Sequence, residues 1–158
     1  MSKLSHLGDD GRARMVDVSA KAPTARTARA EGRLVCRAET VAAVKAGATP
    51  KGAVVQTAEL AGVMASKRTA ELIPLCHPLP LAKVEVRIEA DDTLPGFRIA
   101  SEVRTVAATG VEMEALTAAS VACLTLFDML KAVDRSMTIE GIRVTAKEGG
   151  KSGSWTRE

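Results

Sequence analysis

Asp128 and Lys131, three positions apart, are the side chains best placed for proton transfer. On a helical wheel they fall in the stripe of Met113, Leu124 and Phe127, which the pattern predicts to be buried. Buried charges are costly unless they are paired or used, and a charged neighbour alters the pKa of both groups. We therefore favour a functional pair over an ordinary ion pair between positions i and i+3.

A second group of reactive side chains lies in segment 74–80, which has three prolines in seven positions. Proline fixes its own φ and restricts the residue before it, so the segment is predicted to hold Cys76 and His77 stiffly. His77 could donate a hydrogen bond or shuttle a proton. A rigid connector with a buried cysteine and a hydrogen-bonded histidine explains the pattern equally well. Cys76 is less favoured as a nucleophile, because His6 is the only other histidine.

Two acids stand near the start of the helix that carries Asp128. Residues 109–112 have the pattern of a capping box with Glu112 at the third helical position, and Glu114 suits a solvated first-turn acid. The residues alone favour these structural roles. Glu114 and Asp128 are 14 residues apart, about 21 Å along a helix, so this helix cannot bring them into one small pocket. Two antiparallel copies could do so, which would imply an oligomer with a two-fold axis.

Two basic segments indicate less about the function of the protein. Lys67 is spaced to pair with Glu71 at i and i+4, an arrangement that says nothing by itself. Segment 149–152 (GGKS) is similar to the end of a phosphate-binding loop, but Thr145 stands where that pattern needs glycine and too few residues follow for a helix. We interpret the segment as a flexible basic flap.

The elements that position these residues follow the order strand, helix, strand, strand, helix, strand. This order is typical of the ferredoxin-like split β-α-β fold, an α+β class with an antiparallel sheet and two long helices on one face. The chain is predicted to be one domain, 1–158, with a mobile N-terminus (about 1–14) and a Gly- and Ser-rich tail (about 148–158). The predicted strands are about 27–37, 83–90, 97–106 and 137–146, with a short one in 15–18, and the predicted helices are 39–45 (ending at Gly47), 49–72 and 109–133.

The composition limits which kinds of molecule the protein is expected to bind. A net charge of +3 does not demand a nucleic acid or a membrane but permits a small anionic substrate, and 2% aromatic residues argue against stacking platforms for bases. Three scattered cysteines indicate neither disulfides nor a metal site. The N-terminus is too polar for a signal peptide, and the longest uncharged stretch, Ala115–Phe127, is too short to cross a bilayer. A cytoplasmic protein without metal or cofactor is expected.

Several longer runs carry a family resemblance. They resemble the cyclic pyranopterin monophosphate synthases, the molybdenum cofactor biosynthesis protein C family, in order and over nearly the whole chain. The runs are Met15–Lys21 (MVDVSAK), the parts of Ala61–Leu79 reading AG, KRT and LIPLCHPL, Gly110–Ala118 (GVEMEALTA), Asp128–Val133 (DMLKAV) and Gly149–Gly153 (GGKSG).

The resemblance implies a ferredoxin-like domain assembled as a hexamer of three dimers, with the active site between subunits. It implies a lyase that rearranges 3′,8-cyclo-7,8-dihydro-GTP to cyclic pyranopterin monophosphate and releases diphosphate. The implied catalytic residues are Asp128 as acid/base, Lys131 beside it, and Lys67. The implied substrate-binding residues are Leu75, Cys76, His77, Glu112, Met113, Glu114, Lys51, Lys147 and Arg26, where Glu112 is an active-site acid and the basic residues surround the triphosphate and the reacting sugar.

The chain departs from the family pattern at three positions. Ala53 replaces a frequent aspartate, so a polar role at position 53 is in doubt, while Phe127 and Leu130 replace a frequent tyrosine and cysteine as changes in packing. Two readings from other classes stay open. One is a regulatory domain that binds a small molecule, which needs no proton donor, and the other is a scaffold whose charges fix subunit register.

Overall fold

The computed structural model describes residues 6–8 and 10–158. A sheet, three helices and one short helical turn make up the regular structure. In chain order the elements are β1 (Thr24–Val35), α1 (Ala38–Lys45), α2 (Val54–Ser66), α3 (Thr69–Leu72), β2 (Leu81–Asp91), β3 (Gly96–Ala107), α4 (Glu112–Leu130), β4 (Thr138–Glu148) and β5 (Trp155–Thr156).

The five strands form one antiparallel sheet in the order β2-β3-β1-β4-β5. Along β1 the side chains alternate, so that Ala28, Ala30 and Leu34 are buried towards the helices. The intervening Arg29 and Glu31 form ion pairs on the opposite face. This period-2 pattern explains why the helices cover one face only. The predicted α+β, ferredoxin-like fold is confirmed.

The face of α4 that packs on the fold is its alanine-rich face. Ala115, Ala118 and Ala122 are fully buried, whereas Leu124 is 58% exposed. The prediction that the stripe through Leu124 is buried is therefore wrong for a single chain. Small side chains let α4 lie closer to its neighbours than leucines would: a Cβ atom added to Gly62 of α2 would stand only 2.7 Å from the Ala118 carbonyl oxygen.

The two long helices are shorter than the sequence predicted. Thr49 and Pro50 do not open α2, because the Thr49 Oγ1 donates to the Gly52 carbonyl and Gly52 has φ +72°, which closes a separate turn. The helix therefore begins at Val54. At its other end the chain turns at residues 67–68 before α3, so the predicted helix 49–72 is two elements. Gly47 ends α1 with φ +65°, as predicted.

Both terminal segments also differ from their predictions. Residues 15–18 form no strand and run as irregular chain. The tail contains a strand that the sequence did not predict: the chain turns at residues 149–153 and returns as β5 along the edge of β4. There the Arg157 guanidinium lies 5.3 Å from the centre of the Trp155 ring, and its Nε atom donates to the Val144 carbonyl.

By length and composition, α4 is one helix of the described chain that could cross a membrane. Its apolar character is explained by packing, because it contacts α2 and strands β1, β3 and β4. It therefore serves as the central core helix of this fold.

Candidate active site

A cleft of about 420 Å³ opens at the N-terminal end of α4. Its walls are the proline-bracketed loop after α3, the first turn of α4 and the irregular N-terminal segment. The cleft brings together five residues that the sequence predicted to bind substrate. They are Leu75, Cys76, His77, Glu112 and Met113.

His77 ties the loop to the N-terminal segment. Its Nε2 atom lies 2.7 Å from the Val16 carbonyl oxygen. Because a carbonyl can only accept, Nε2 carries the proton, and Nδ1 can accept a hydrogen bond when the ring is neutral. Val18 and Lys21 of the same segment also line the cleft. The sequence assigned no role to Lys21, and its only signal was its place at the end of the family-like run Met15–Lys21.

Glu112 is the first residue of α4 and does not close a capping box. The N-cap residue is Val111, without a side-chain cap hydrogen bond, so the predicted capping by Thr109 is wrong. The Glu112 carboxylate instead lies 3.1 Å from the Lys147 Nζ atom, and each side chain is about one third exposed. An acid and an ammonium group therefore face each other beside the cleft.

Arg26 lies at the base of the same region. Its guanidinium donates to the carbonyls of Ala107 and Ala108, at 3.0 and 3.1 Å, and so supports the chain just before α4. Gly150, with φ +78°, packs against the guanidinium, and a Cβ atom there would collide with it. The GGKS turn thus lies against one of the predicted basic residues.

Glu114 is buried directly behind Cys76. It is 3% exposed, its Oε1 accepts a weak hydrogen bond from the Cys76 thiol at 3.7 Å, and its Oε2 has no partner among the described residues. Its prediction as a solvated acid is wrong, because the loop covers the first turn of the helix. Burial raises the pKa of the Glu114 carboxyl. Burial and the neighbouring Glu114 raise the pKa of the Cys76 thiol to about 11, which disfavours a thiolate nucleophile.

Replacing Glu114 by glutamine is expected to stabilise the free protein at pH 7, by about 1 kcal/mol. The folded-state pKa of this acid lies above its ordinary 4.5, so the folded state binds more protons and stability falls as pH rises through that interval. In melting curves recorded from pH 4 to 8, the melting temperature of Glu114→Gln should rise relative to that of the wild type as pH rises. Glu112→Gln, whose carboxylate is paired, is the control and should not be stabilised. Parallel wild-type and Glu114→Gln curves would contradict the expectation.

The second group of predicted residues lies at the opposite end of α4. Asp128 Oδ1 is 2.7 Å from the Lys131 Nζ, and its Oδ2 is 3.0 Å from the Lys51 Nζ. The lysine hydrogen bonds lower the pKa of Asp128, so it is a carboxylate at neutral pH. All three side chains are 42–57% exposed. The predicted pairing of Asp128 with Lys131 is present, but its predicted burial is wrong for one chain.

Lys67 forms no side-chain hydrogen bond with a described residue of the cleft or of the Asp128, Lys51 and Lys131 group. It caps the C-terminal end of α2 and is exposed. Its predicted partner Glu71 pairs with Arg68 instead, at 3.0 Å. Because α2 runs antiparallel to α4, with Lys51 beside Asp128 and Gly62 beside Ala118, Lys67 lies towards the cleft end of α4.

One chain therefore holds the predicted site in two parts. The cleft group and the Asp128 group are separated by the length of α4, about 21 Å between Glu114 and Asp128. Within residues 6–8 and 10–158, no three His, Cys, Asp or Glu side chains are placed to hold one metal ion. The chemistry that the side chains themselves offer is acid–base chemistry and the binding of anions.

This arrangement can be compared with known proteins. The model of the MoaC family matches residues 15–150, which include every predicted site residue. The chain belongs to the MoaC family.

Curated members of the MoaC family match along their whole length. The chain is 61% identical over 158 residues to the cyclic pyranopterin monophosphate synthase of Methylobacterium sp. (strain 4-46), covering 100% of this chain and 99% of the relative. It is 56% identical over 158 residues to the synthase of Thermomicrobium roseum, covering 100% and 95%. It is 58% identical over 153 residues to the synthase of Cereibacter sphaeroides (strain KD131), covering 97% and 96%.

Proposed function

We propose that the protein is a cyclic pyranopterin monophosphate synthase. It converts 3′,8-cyclo-7,8-dihydro-GTP to cyclic pyranopterin monophosphate with release of diphosphate, in molybdenum cofactor biosynthesis. Full-length identity of 56–61% to synthases so named supports this function. The structural observation that carries it is the Asp128 carboxylate held between two ammonium groups.

The Asp128 group offers both halves of a proton transfer. The lowered pKa keeps Asp128 deprotonated in the free protein, so it is in the form that can accept a proton, and Lys131 beside it carries a proton to donate. A binding module needs complementarity to its ligand but no proton donor. Lys51 completes the group as a compact positive charge that can bind a phosphate.

The cleft is the proposed binding site for the base-derived ring of the substrate. Leu75, Cys76 and His77 supply a stiff wall, with Met113 and Glu114 at the start of α4. The unpartnered Glu114 Oε2 is buried behind Cys76, so it can accept a hydrogen bond from a ligand only after the loop has moved. Glu112 acts as an active-site acid. Arg26, Lys147 and Lys67 are assigned to the triphosphate and the reacting sugar, with Lys67 as a catalytic residue. No resident cofactor or metal is proposed, and whether a magnesium ion arrives with the triphosphate stays open.

The complete site is proposed to form between two chains, in a hexamer built from three dimers. Two copies packed with antiparallel α4 helices would bring one chain's cleft beside the other's Asp128. The exposed sides of α2 and α4 carry unusually many large apolar side chains, which suit such a contact. They are Leu60, Met64, Met113 and Leu124, at 60, 58, 36 and 58% exposure. The protein acts as a single domain in the cytoplasm.

A charge placed on this apolar face is expected to break the assembly. Leu124→Glu should elute as a smaller species than the wild-type protein in size-exclusion chromatography with light scattering, and should lose turnover with it, because the two-fold contact would hold a desolvated, unpaired carboxylate. Leu124→Met, which keeps volume and polarity, is the matched control and should stay assembled. A wild-type protein that is fully active as a single chain would contradict the shared site.

The function itself is tested by incubating the purified protein with the cyclic nucleotide. Stoichiometric diphosphate and the cyclic phosphate product are expected. Binding of the nucleotide without diphosphate release would instead favour a regulatory domain.

A further inference from the structure

Only two charged side chains of the described residues are buried, Glu114 and Asp134. Asp134 is 1% exposed and lies in the loop between α4 and β4, three residues after Lys131. A buried carboxylate is costly unless its oxygen atoms are hydrogen-bonded. Its partners therefore indicate what it holds in place.

Both carboxylate oxygen atoms of Asp134 are satisfied. Oδ1 accepts from the Ser136 N–H and hydroxyl, at 2.9 and 2.6 Å, and lies 3.4 Å from the Arg37 Nε. Oδ2 accepts from the Arg37 N–H and the Thr40 hydroxyl, at 2.9 and 3.1 Å. Burial opposes ionisation, but these donors outweigh it and hold the pKa of Asp134 far below its usual range.

These contacts join two separate segments of the chain. Arg37 is the N-cap residue of α1 and has no side-chain cap of its own, so Asp134 supplies an acceptor at this helix start. The Arg37 guanidinium also donates to the Val133 carbonyl at 2.6 Å. From there α1 leads through Gly47 into the turn that carries Lys51. On its other side, Asp134 donates its N–H to the Leu130 carbonyl at the end of α4.

The group formed by Asp128, Lys51 and Lys131 depends on buried residues to fix its geometry. Its three side chains are about half exposed, so surrounding atoms restrict them little. Lys51 and Lys131 reach Asp128 from different segments, and their approach depends on how those segments sit relative to each other. Asp134 is the buried group that contacts the end of α4 and the start of α1, the helix that leads to the Lys51 turn.

We propose that Asp134 is a positioning residue for the reaction. Its carboxylate locks the start of α1 to the end of α4, and so sets the two lysine-bearing segments at the spacing that holds both ammonium groups on Asp128. The inference rests on the proposed function, in which Asp128 and Lys131 move protons. A displacement of about 1 Å at a reacting group can cost up to about 10²-fold in rate.

The test is a double-mutant cycle with Asp134→Asn and Lys131→Ala. Asparagine keeps the shape, but its NH₂ group must face one of the two donor pairs. The expected result is a kcat lower by roughly 10- to 100-fold with KM near the wild-type value, since the cleft is untouched. In the Lys131→Ala background, Asp134→Asn should lower kcat only slightly further, because the two residues act as a unit. Equal losses in both backgrounds would overturn the proposal.

Two controls separate positioning from stability. Ile99→Val removes one buried methylene in β3 and should lower the melting temperature without lowering kcat per folded molecule. If Asp134→Asn does not fold, Thr40→Val removes one donor to Asp134, and Thr40→Ser restores it. We expect kcat to fall in the valine variant and recover in the serine variant, and an unchanged kcat in Thr40→Val overturns the proposal.

The cycle also separates the two levels of the hypothesis. Normal turnover in Lys131→Ala would contradict the proposed function of the Asp128 group. Normal turnover in Asp134→Asn beside an impaired Lys131→Ala would contradict the positioning role alone.

Discussion

Replacing Asp128 by asparagine is expected to lower turnover by at least about 10²-fold, the low end for losing a positioned acid or base. The amide cannot accept a proton, although it nearly keeps the shape of the carboxylate. Fold and assembly should persist, because the side chain is 57% exposed and exposed ion pairs contribute only about 0–1 kcal/mol. Substrate affinity should change little or improve, since a carboxylate near a triphosphate repels it. The measurements are diphosphate release and thermal melting.

Asp92→Asn is a matched control for this variant. Asp92 is an exposed acid that pairs with Lys45 at 2.6 Å, so its removal disturbs a similar ion pair that involves neither Asp128 nor its two lysines. It should leave turnover unchanged. Lys131→Ala should lower turnover, and the loss in the Asp128→Asn, Lys131→Ala double variant should be far from additive. Normal turnover in Asp128→Asn with a lowered melting temperature would reduce the pair to a structural ion pair.

Mixing two inactive variants is expected to restore activity. Glu112→Gln disables the cleft end of α4, and Asp128→Asn disables the other end. In a mixed two-fold pair, one site receives both intact ends and the second receives both defects. Random mixing makes half of the pairs mixed, so total activity should recover to about one quarter of the wild-type value. Differently tagged chains, co-expressed and purified together, allow this measurement.

The control for the mixing experiment pairs Asp128→Asn with Lys131→Ala. Both changes lie at the same end of α4, so every mixed site keeps one defect and activity should stay low. An equally low activity for the Glu112→Gln mixture, in assemblies shown to contain both tags, would place the complete site within one chain.

The sheet could be predicted because its signals are local. Alternation of Val84, Val86 and Ile88 with charged residues fixes which face of β2 is buried, and β2 indeed occupies 81–91. The residues between β2 and β3 carry turn chemistry that is independent of the rest of the fold. The antiparallel pairing of β2 with β3 then follows from their being consecutive strands joined by a short turn.

The orientation of α4 could not be predicted in the same way. A helical wheel favours the face with the largest apolar side chains, here through Leu124. The fold instead buries small residues such as Ala118. Their small side chains let α4 approach α2 and the sheet closely, and a leucine at the same position would hold the helices apart. Which of two apolar faces packs inside is a property of the neighbouring elements, not of the helix.

The sequence predicts which residues form the candidate site, but it does not predict the environment of each residue. The family-like runs identified both ends of α4, yet burial of Glu114 depends on the loop that covers it, 38 residues earlier in the chain. The exposed state of Asp128 follows from the orientation of α4. The role of Asp134 also depends on tertiary contacts, since its partners Arg37 and Thr40 are 97 and 94 residues away.

The short strand β5 bears on whether chains can form fibres. It occupies the backbone groups at the end of β4, at Ala146 and Lys147, so another molecule cannot add a strand there. The opposite edge strand, β2, carries Lys83, Glu85 and Arg87 in ion pairs, which discourages pairing with a second sheet. Strand addition would be open-ended, whereas a two-fold contact through the helices closes after two copies. The fold thus discourages open-ended strand addition along β2 and at the end of β4, and it leaves a finite route to association.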